Sequence, residues 1–253
     1  MLSQILWWAG NLVISFLLAR CLRGRFFTKY PVFYFYLSYV LLESLLRFYV
    51  YVVHASRYES FYWYTQFLSV ALGYCVIWEI YTQALADYPG VARMARIVLL
   101  AVFVVVVAQA LVHALSDPVW SAPEIPALLE RNLRTAQALL LVGIVGLLLY
   151  YAIPVGRNLR GMILGYGLFI SASVISLTLR SHLGKGFEPW WHYFQPMAYF
   201  AALLIWAATL WSYQPNPQPR TEIKIEPDYE LLSEQTAKAI AWARSYLLRT
   251  VRP

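Results

Sequence analysis

Charge is what this chain has least of. Asp, Glu, Lys and Arg make up only 13% of its 253 residues, against 60% hydrophobic, where a soluble domain carries about 25% charged residues. That shortage excludes an ordinary water-soluble globule and points to an all-α polytopic membrane protein with a short appendage. Cysteine is nearly absent. Cys21 falls at one membrane edge and Cys75 in mid-span, so their depths differ and no disulfide is expected. The N-terminal stretch lacks a basic region and a small-residue cleavage site. Positive charge follows the first apolar run instead, at Arg20, Arg23 and Arg25, which reads as an uncleaved first span with its start outside. Residues 18–21 have the outline of a lipoprotein cleavage site, but Arg20 stands where a small residue is required.

Familiar chemistry is missing too. The chain has no Walker loop, no nucleophile elbow and no kinase signature, so no enzymatic activity is expected. The histidines His54, His113, His182 and His192 all fall at the same ends of the apolar segments, without an HExxH spacing. Neither a metal nor a cofactor is expected. The net charge of +7 is spread over connections and tail, which gives no basic patch for a nucleic-acid partner.

Apolar runs are what the chain has in abundance. Seven are read, at residues 2–19, 30–53, 61–86, 97–115, 136–155, 159–179 and 191–213. Each is near the length that crosses a hydrocarbon core of about 30 Å at about 1.5 Å per residue. The second, third and seventh are dense in Tyr, Trp and Phe, as interfacial belts are. Basic residues alternate between connections. Arg20, Arg23, Arg25 and Lys29 follow the first run, Arg93 and Arg96 the third, Arg157 and Arg160 the fifth, and six more lie in the tail. The remaining connections hold only Arg57, Arg131, Arg134, Arg180 and Lys185. The positive-inside rule then puts the N-terminus outside and the tail in the cytoplasm.

Two domains are expected: a membrane domain over 1–213 and a cytoplasmic tail over 214–253. The fourth connection, 116–134, with Pro118, Pro123 and Pro126, reads as a short outer cap running into a helix near Ala127. The tail opens on QPNPQP, a stiff extended spacer. Asp228 can cap an amphipathic helix over 228–250, laid on the inner membrane surface or on a cytoplasmic or membrane protein partner.

An internal repeat is read between spans 1–3 and 5–7. Residues 20–24 (RCLRG) match 157–161 (RNLRG), YPVF at 30–33 echoes YGLF at 166–169, and Gln66 with Trp78 echoes Gln195 with Trp206. Span four then inverts the second half, and the halves run parallel with a binding site near the midplane. This three-plus-one-three plan is similar in layout to that of sugar-efflux and vitamin-uptake permeases. Their proline–glutamine signature is absent, Gln195-Pro196 being the reverse order. Seven helices with an outside start also match rhodopsins and receptors in layout. Residues 191–213 hold no lysine for a retinal Schiff base.

Few residues in the spans can carry chemistry. Glu43 and Arg47 share one helix face at i, i+4. They read as a polar site or gate in mid-bundle, or as an ion pair that fixes packing. Glu79 in span three can bind a cation, carry a proton or pair with an inner-loop arginine. Ser173 and Ser176, with Ser171 and Thr178, line span six beyond its glycines, as packing residues or as cavity lining. Together with Gln66 and Gln195 these residues form the candidate small-molecule site.

Several stretches, KYPVFYFYLSYVLLESLLRF, VIWEIY, YPGVARMAR, YAIPVGRNLRG, GYGLFISASVISLTLRS and LWSYQPNPQP, resemble a family of uncharacterised bacterial seven-helix integral membrane proteins. The resemblance covers the membrane domain and the proline spacer. It implies a seven-helix protein of the bacterial cytoplasmic (inner) membrane and carries over no functional residue. The functional expectation is a protein that binds or transports a small molecule. A sensor acting through its tail, or a structural subunit of a larger membrane complex, are the alternatives.

Overall fold

The computed structural model describes residues 2–116, 124–183, 188–217 and, in the tail, 231–232, 234–239 and 242. Among these residues there is no β-strand. Seven α-helices lie between residues 2 and 209: α1 Leu2–Gly24, α2 Pro31–Val53, α3 Tyr58–Ala84, α4 Pro89–Ser116, α5 Glu124–Tyr150, α6 Arg157–Leu183 and α7 Glu188–Thr209. The segments Gln4–Gly24, Pro31–Val53, Pro89–Val106, Glu130–Tyr150 and Arg157–Arg180 are long and apolar enough to cross a bilayer. Helices α3 and α7 are long enough, but their many Tyr, Trp and Gln residues hold down their mean hydropathy.

The helices extend beyond the apolar runs. Arg20 and Arg23 lie on α1 rather than in a connection. Arg93 and Arg96 lie on the first turns of α4, and Arg131 and Arg134 are inside α5 rather than in a cap. Hydropathy marks where side chains leave lipid, whereas the backbone ladder continues through turns whose arginine stems still pack. Proline opens α2 and α4, where its missing N–H costs no helical bond. α5 stops short of residue 155. Ala152 takes φ 51°, Ile153 donates to the Leu148 carbonyl at 2.9 Å, and Pro154 follows. This is a helix-terminating turn built on alanine where glycine is usual.

Packing closes six of the helices into a ring. α1 meets α2 and α7, α2 meets α3, α3 meets α5, α5 meets α6, and α6 meets α7. α4 packs outside the ring against α3 and α5. Inside, Trp206 is fully buried, edge-on to Phe33 at 5.1 Å and stacked near Tyr166 at 6.2 Å. α6 and α7 approach this closely because of Gly165, where a Cβ would stand 2.3 Å from the Trp206 indole nitrogen. The outer surface is apolar, with Leu12, Leu139, Val142 and Leu149 about two-thirds or more exposed. In water such a surface would be a large association patch; in lipid it is ordinary.

The root of the tail is seated on the bundle rather than extended away from it. Asn216 accepts from the Gly156 N–H at 3.1 Å and donates to the Gln83 carbonyl at 3.1 Å. Residues 231–232, 234–239 and 242 are helical and, where described, mostly exposed. The remainder of the expected 228–250 helix, and of the expected cap before Glu124, lies outside the described residues.

Candidate functional site

A chain of polar side chains crosses the bundle between α2, α3 and α5. Arg47 pairs with Glu43 one turn earlier on α2. The guanidinium also donates to Thr65 Oγ1 at 2.9 Å, to Gln66 Oε1 at 2.9 Å and to the Tyr62 carbonyl at 3.2 Å. Its carbon sits 4.2 Å from the centre of the Tyr62 ring. The Gln66 amide then donates to Glu130 on α5, and Glu130 accepts from Arg134 Nε at 2.7 Å. Two acids alternate with two bases, so the charges sum to zero. Glu43 and Arg134 are 5% and 4% exposed. Removing charges such as these from water is tolerable only with this density of hydrogen bonds.

The layer continues toward α6 and α7 through rings and amides. Arg134 lies 4.9 Å from the Phe169 ring, which meets Tyr199 edge-on at 5.3 Å. Tyr36 meets Tyr166 at 5.8 Å. On the far side Gln195 donates to Ser173 Oγ at 2.8 Å, and Ser173 donates to the Phe169 carbonyl. Gly73 on α3 makes room for this centre. A Cβ there would lie 2.1 Å from the Tyr166 hydroxyl and 2.6 Å from the Gln137 amide nitrogen. Measured along their own helices, Gln66, Gln195, Ser173 and Glu43 lie seven to ten residues from the end that carries Val53, Tyr58, Leu183 and Glu188. That is a depth of roughly 10–15 Å.

Several buried polar atoms on α1, α2, α5, α6 and α7 have no hydrogen-bond partner among the described residues: Gln195 Oε1, Tyr199 Oη, Ser176 Oγ, Ser44 Oγ, Gln137 Oε1, Asn11 Nδ2 and Trp206 Nε1. Native interiors rarely leave so many buried polar groups unmatched.

The predicted site residues divide three ways. Glu43, Arg47 and Gln66 come together in one network. Gln195 and Ser173 bond to each other, with Ser176 buried on the same helix as Ser173, and among the described residues no direct bond joins this pair to the first network. Glu79 stands apart, near the other end of the bundle. It accepts from the backbone N–H groups of Val32 at 3.0 Å and Phe33 at 2.8 Å. Its partner is thus the N-terminus of α2, not an inner-loop arginine. The α2 cap residue Tyr30 makes no side-chain capping bond, so a carboxylate from the neighbouring helix supplies it.

Glu130, Arg134 and Gln137 are the residues that sequence reasoning missed. Their signal was available: Glu130 and Arg134 repeat the Glu-first i, i+4 spacing of Glu43 and Arg47, and an apolar run follows. Among the described residues no group of three or more His, Cys, Asp or Glu is placed to hold a metal ion. Both cysteines are free, Cys21 buried and Cys75 exposed. Compared with known protein families, curated proteins and solved structures, the chain matches none.

Proposed function

We propose that this chain is a seven-span protein of the bacterial inner membrane that binds, and moves across the bilayer, a small polar molecule at the layer between Glu43, Arg134 and Gln195. Its role is not enzymatic. The observation that carries this reading is the number of buried polar atoms without partners, Gln195 Oε1 and Tyr199 Oη among them, in a bundle whose four buried charges already pair. The four charges saturate one another, so the free valences are amide and hydroxyl groups bordered by Phe169, Tyr36 and Tyr199. Such a lining favours an uncharged hydroxyl-bearing molecule over an ion.

The packing supports the three-plus-one-three repeat. Under the exchange α1 to α5, α2 to α6 and α3 to α7, each contact of the ring maps onto another, and α4 stands outside as the linker. Parallel repeats place substrate sites where the halves meet. The decisive experiment is uptake into vesicles containing the purified protein, against a panel of sugars, polyols and amino acids. Movement of a neutral solute, lost in Gln195→Leu with the fold intact, is expected. No movement and no binding across the panel sinks the reading. A tail tag reachable only from the cytoplasmic side of intact cells tests the orientation.

A second reading, a sensor acting through the tail, is favoured by one observation: Asn216 ties the tail root to both α3 and the start of α6. In that case deleting residues 218–253 abolishes a cellular response while the purified bundle stays folded.

A further inference from the structure

The end of the bundle away from the polar layer is crossed by the chain that follows α7. Residues 210–217 leave α7 at Thr209 and run to Asn216, which donates to the Gln83 carbonyl at 3.1 Å and accepts from the Gly156 N–H at 3.1 Å. In the ring order α1, α2, α3, α5, α6, α7, the helix facing α7 is α3. The segment is therefore a strap across the mouth of the ring. Its six residue steps can reach about 20 Å, enough for a ring of six helices spaced about 8–10 Å apart. Pro215 and Pro217 restrict its backbone.

The strap's contacts fall into two sets. Asn158 of α6 donates to the Thr209 and Ser212 carbonyls at 3.1 and 2.8 Å and accepts from the Gln214 N–H at 2.6 Å. With the Gly156 bond, these fix the strap to the α5–α7 side. The second set reaches the α1–α3 side. Arg20 donates to the Trp211 carbonyl at 3.1 Å, Lys29 lies 5.4 Å from the Tyr213 ring, and Asn216 holds Gln83. Phe16 and Tyr30 pack on the same two rings, at 5.5 and 6.4 Å. Each side is also tied within itself. Glu79 joins α3 to the start of α2, and Gln83 donates to the Lys29 carbonyl at 2.9 Å. Arg157 on α6 donates to the Ala208 carbonyl on α7 at 2.6 Å. Each side can thus move as one body, and the strap spans the seam between them.

We infer that residues 210–217 are a latch. While Arg20, Lys29 and the Gln83 carbonyl hold them, this end of the ring stays shut; their release lets the two sides part there. The latch then travels with the α5–α7 side, because Asn158 keeps it with three bonds. The contacts to be broken are one neutral hydrogen bond, one charge-assisted bond and one cation–ring contact near the surface, each of modest strength. The inference rests on the three-plus-one-three reading for which helices part. Its test reads their separation with no solute present, so it can fail while solute movement stands, and stand without it.

The test uses the purified full-length protein in a lipid bilayer, with Cys21 and Cys75 replaced by alanine. Spin labels are attached through Asp87→Cys, beyond α3, and Ala208→Cys, at the end of α7, both exposed positions. One distance between them is expected for the otherwise unaltered chain. R20Q/K29Q/N216D cuts the contacts to the α1–α3 side, and the aspartate still accepts from Gly156. It should add a second distance, longer by about 5 Å or more. Residue-resolved hydrogen exchange at the Gly156 and Gln214 amides, which bond within the α5–α7 side, should stay as it was. A single unchanged distance in R20Q/K29Q/N216D overturns the inference. So does a second distance accompanied by fast exchange at Gly156 and Gln214, which means the strap has left both sides. If the triple variant does not fold, Asn216→Asp alone should show the longer distance as a smaller population, and its absence there overturns the inference equally.

Discussion

Glu43 and Glu79 are almost equally buried, at 5% and 6% exposure, yet opposite means hold them in place. Glu43 is balanced by a full positive charge on its own helix. Glu79 is balanced by two backbone N–H groups of another helix. The first arrangement is made of side chains, so it extends from Arg47 through Gln66 to Glu130 and Arg134 and can exchange partners by rotamer changes. The second is made of backbone, so disturbing it uncaps α2. One end of the bundle is therefore an adjustable polar network and the other a fixed joint. That fits the ligand site proposed at the Arg47 end and the tail root held by Asn216 at the Glu79 end.

The largest effect that tests this contrast comes from Arg134→Ala. It leaves Glu130 buried without its ion partner and should cost about 3–5 kcal/mol, read as thermal unfolding of the purified protein in detergent. Replacing both members, Glu130→Leu with Arg134→Met, should recover most of the stability, because an apolar pair needs no compensation. A double variant as unstable as the single one contradicts that account. Gly73→Ala comes next. Its Cβ collides with the Tyr166 hydroxyl, and about 1–3 kcal/mol is expected. Tyr166→Phe in the same chain should relieve much of the collision.

Glu79→Gln should cost about 1–2 kcal/mol. An amide presents one acceptor to the two N–H groups, loses the charge that the helix end favours, and brings an NH₂ beside a donor. Hydrogen exchange at Val32 and Phe33 should speed up while exchange at Glu43 and Arg47 stays unchanged. Equal acceleration at both ends would mean the two regions are one cooperative unit. Asn216→Ala is the smallest change, at about 0.5–1.5 kcal/mol. Its sharper signature is faster proteolysis of the tail root, with the helical bundle still protected.

Much of the helical layout was legible in the chain. Apolar runs found all seven helices, five of which are long and apolar enough to cross a bilayer. The ends were misplaced where arginines ride on helical turns, as at Arg93, Arg96 and Arg134. Part of the site was legible as well. The i, i+4 spacing of Glu43 and Arg47 put them on one face of α2, and their pairing follows from that alone. Gln66 was visible as a polar residue in a span, but its role between Arg47 and Glu130 was not. Glu130 and Arg134 were hidden by a hydropathy boundary drawn after them. The capping role of Glu79 left no local trace, since its partner is the amide backbone of residues with aliphatic and aromatic side chains.

The sequence by itself determined that this chain is a set of apolar helices. Short of charge and rich in apolar runs, its backbone can be satisfied in lipid only by bonds within each helix. The tertiary structure alone decided which polar groups meet. Glu79 reaches Phe33 across 46 residues of chain and Gln66 reaches Glu130 across 64. Those pairings exist because the ring closes α3 against α2 on one side and α5 on the other. Inside such a ring a buried carboxylate has no water to turn to and must take whichever donor the neighbouring helix presents.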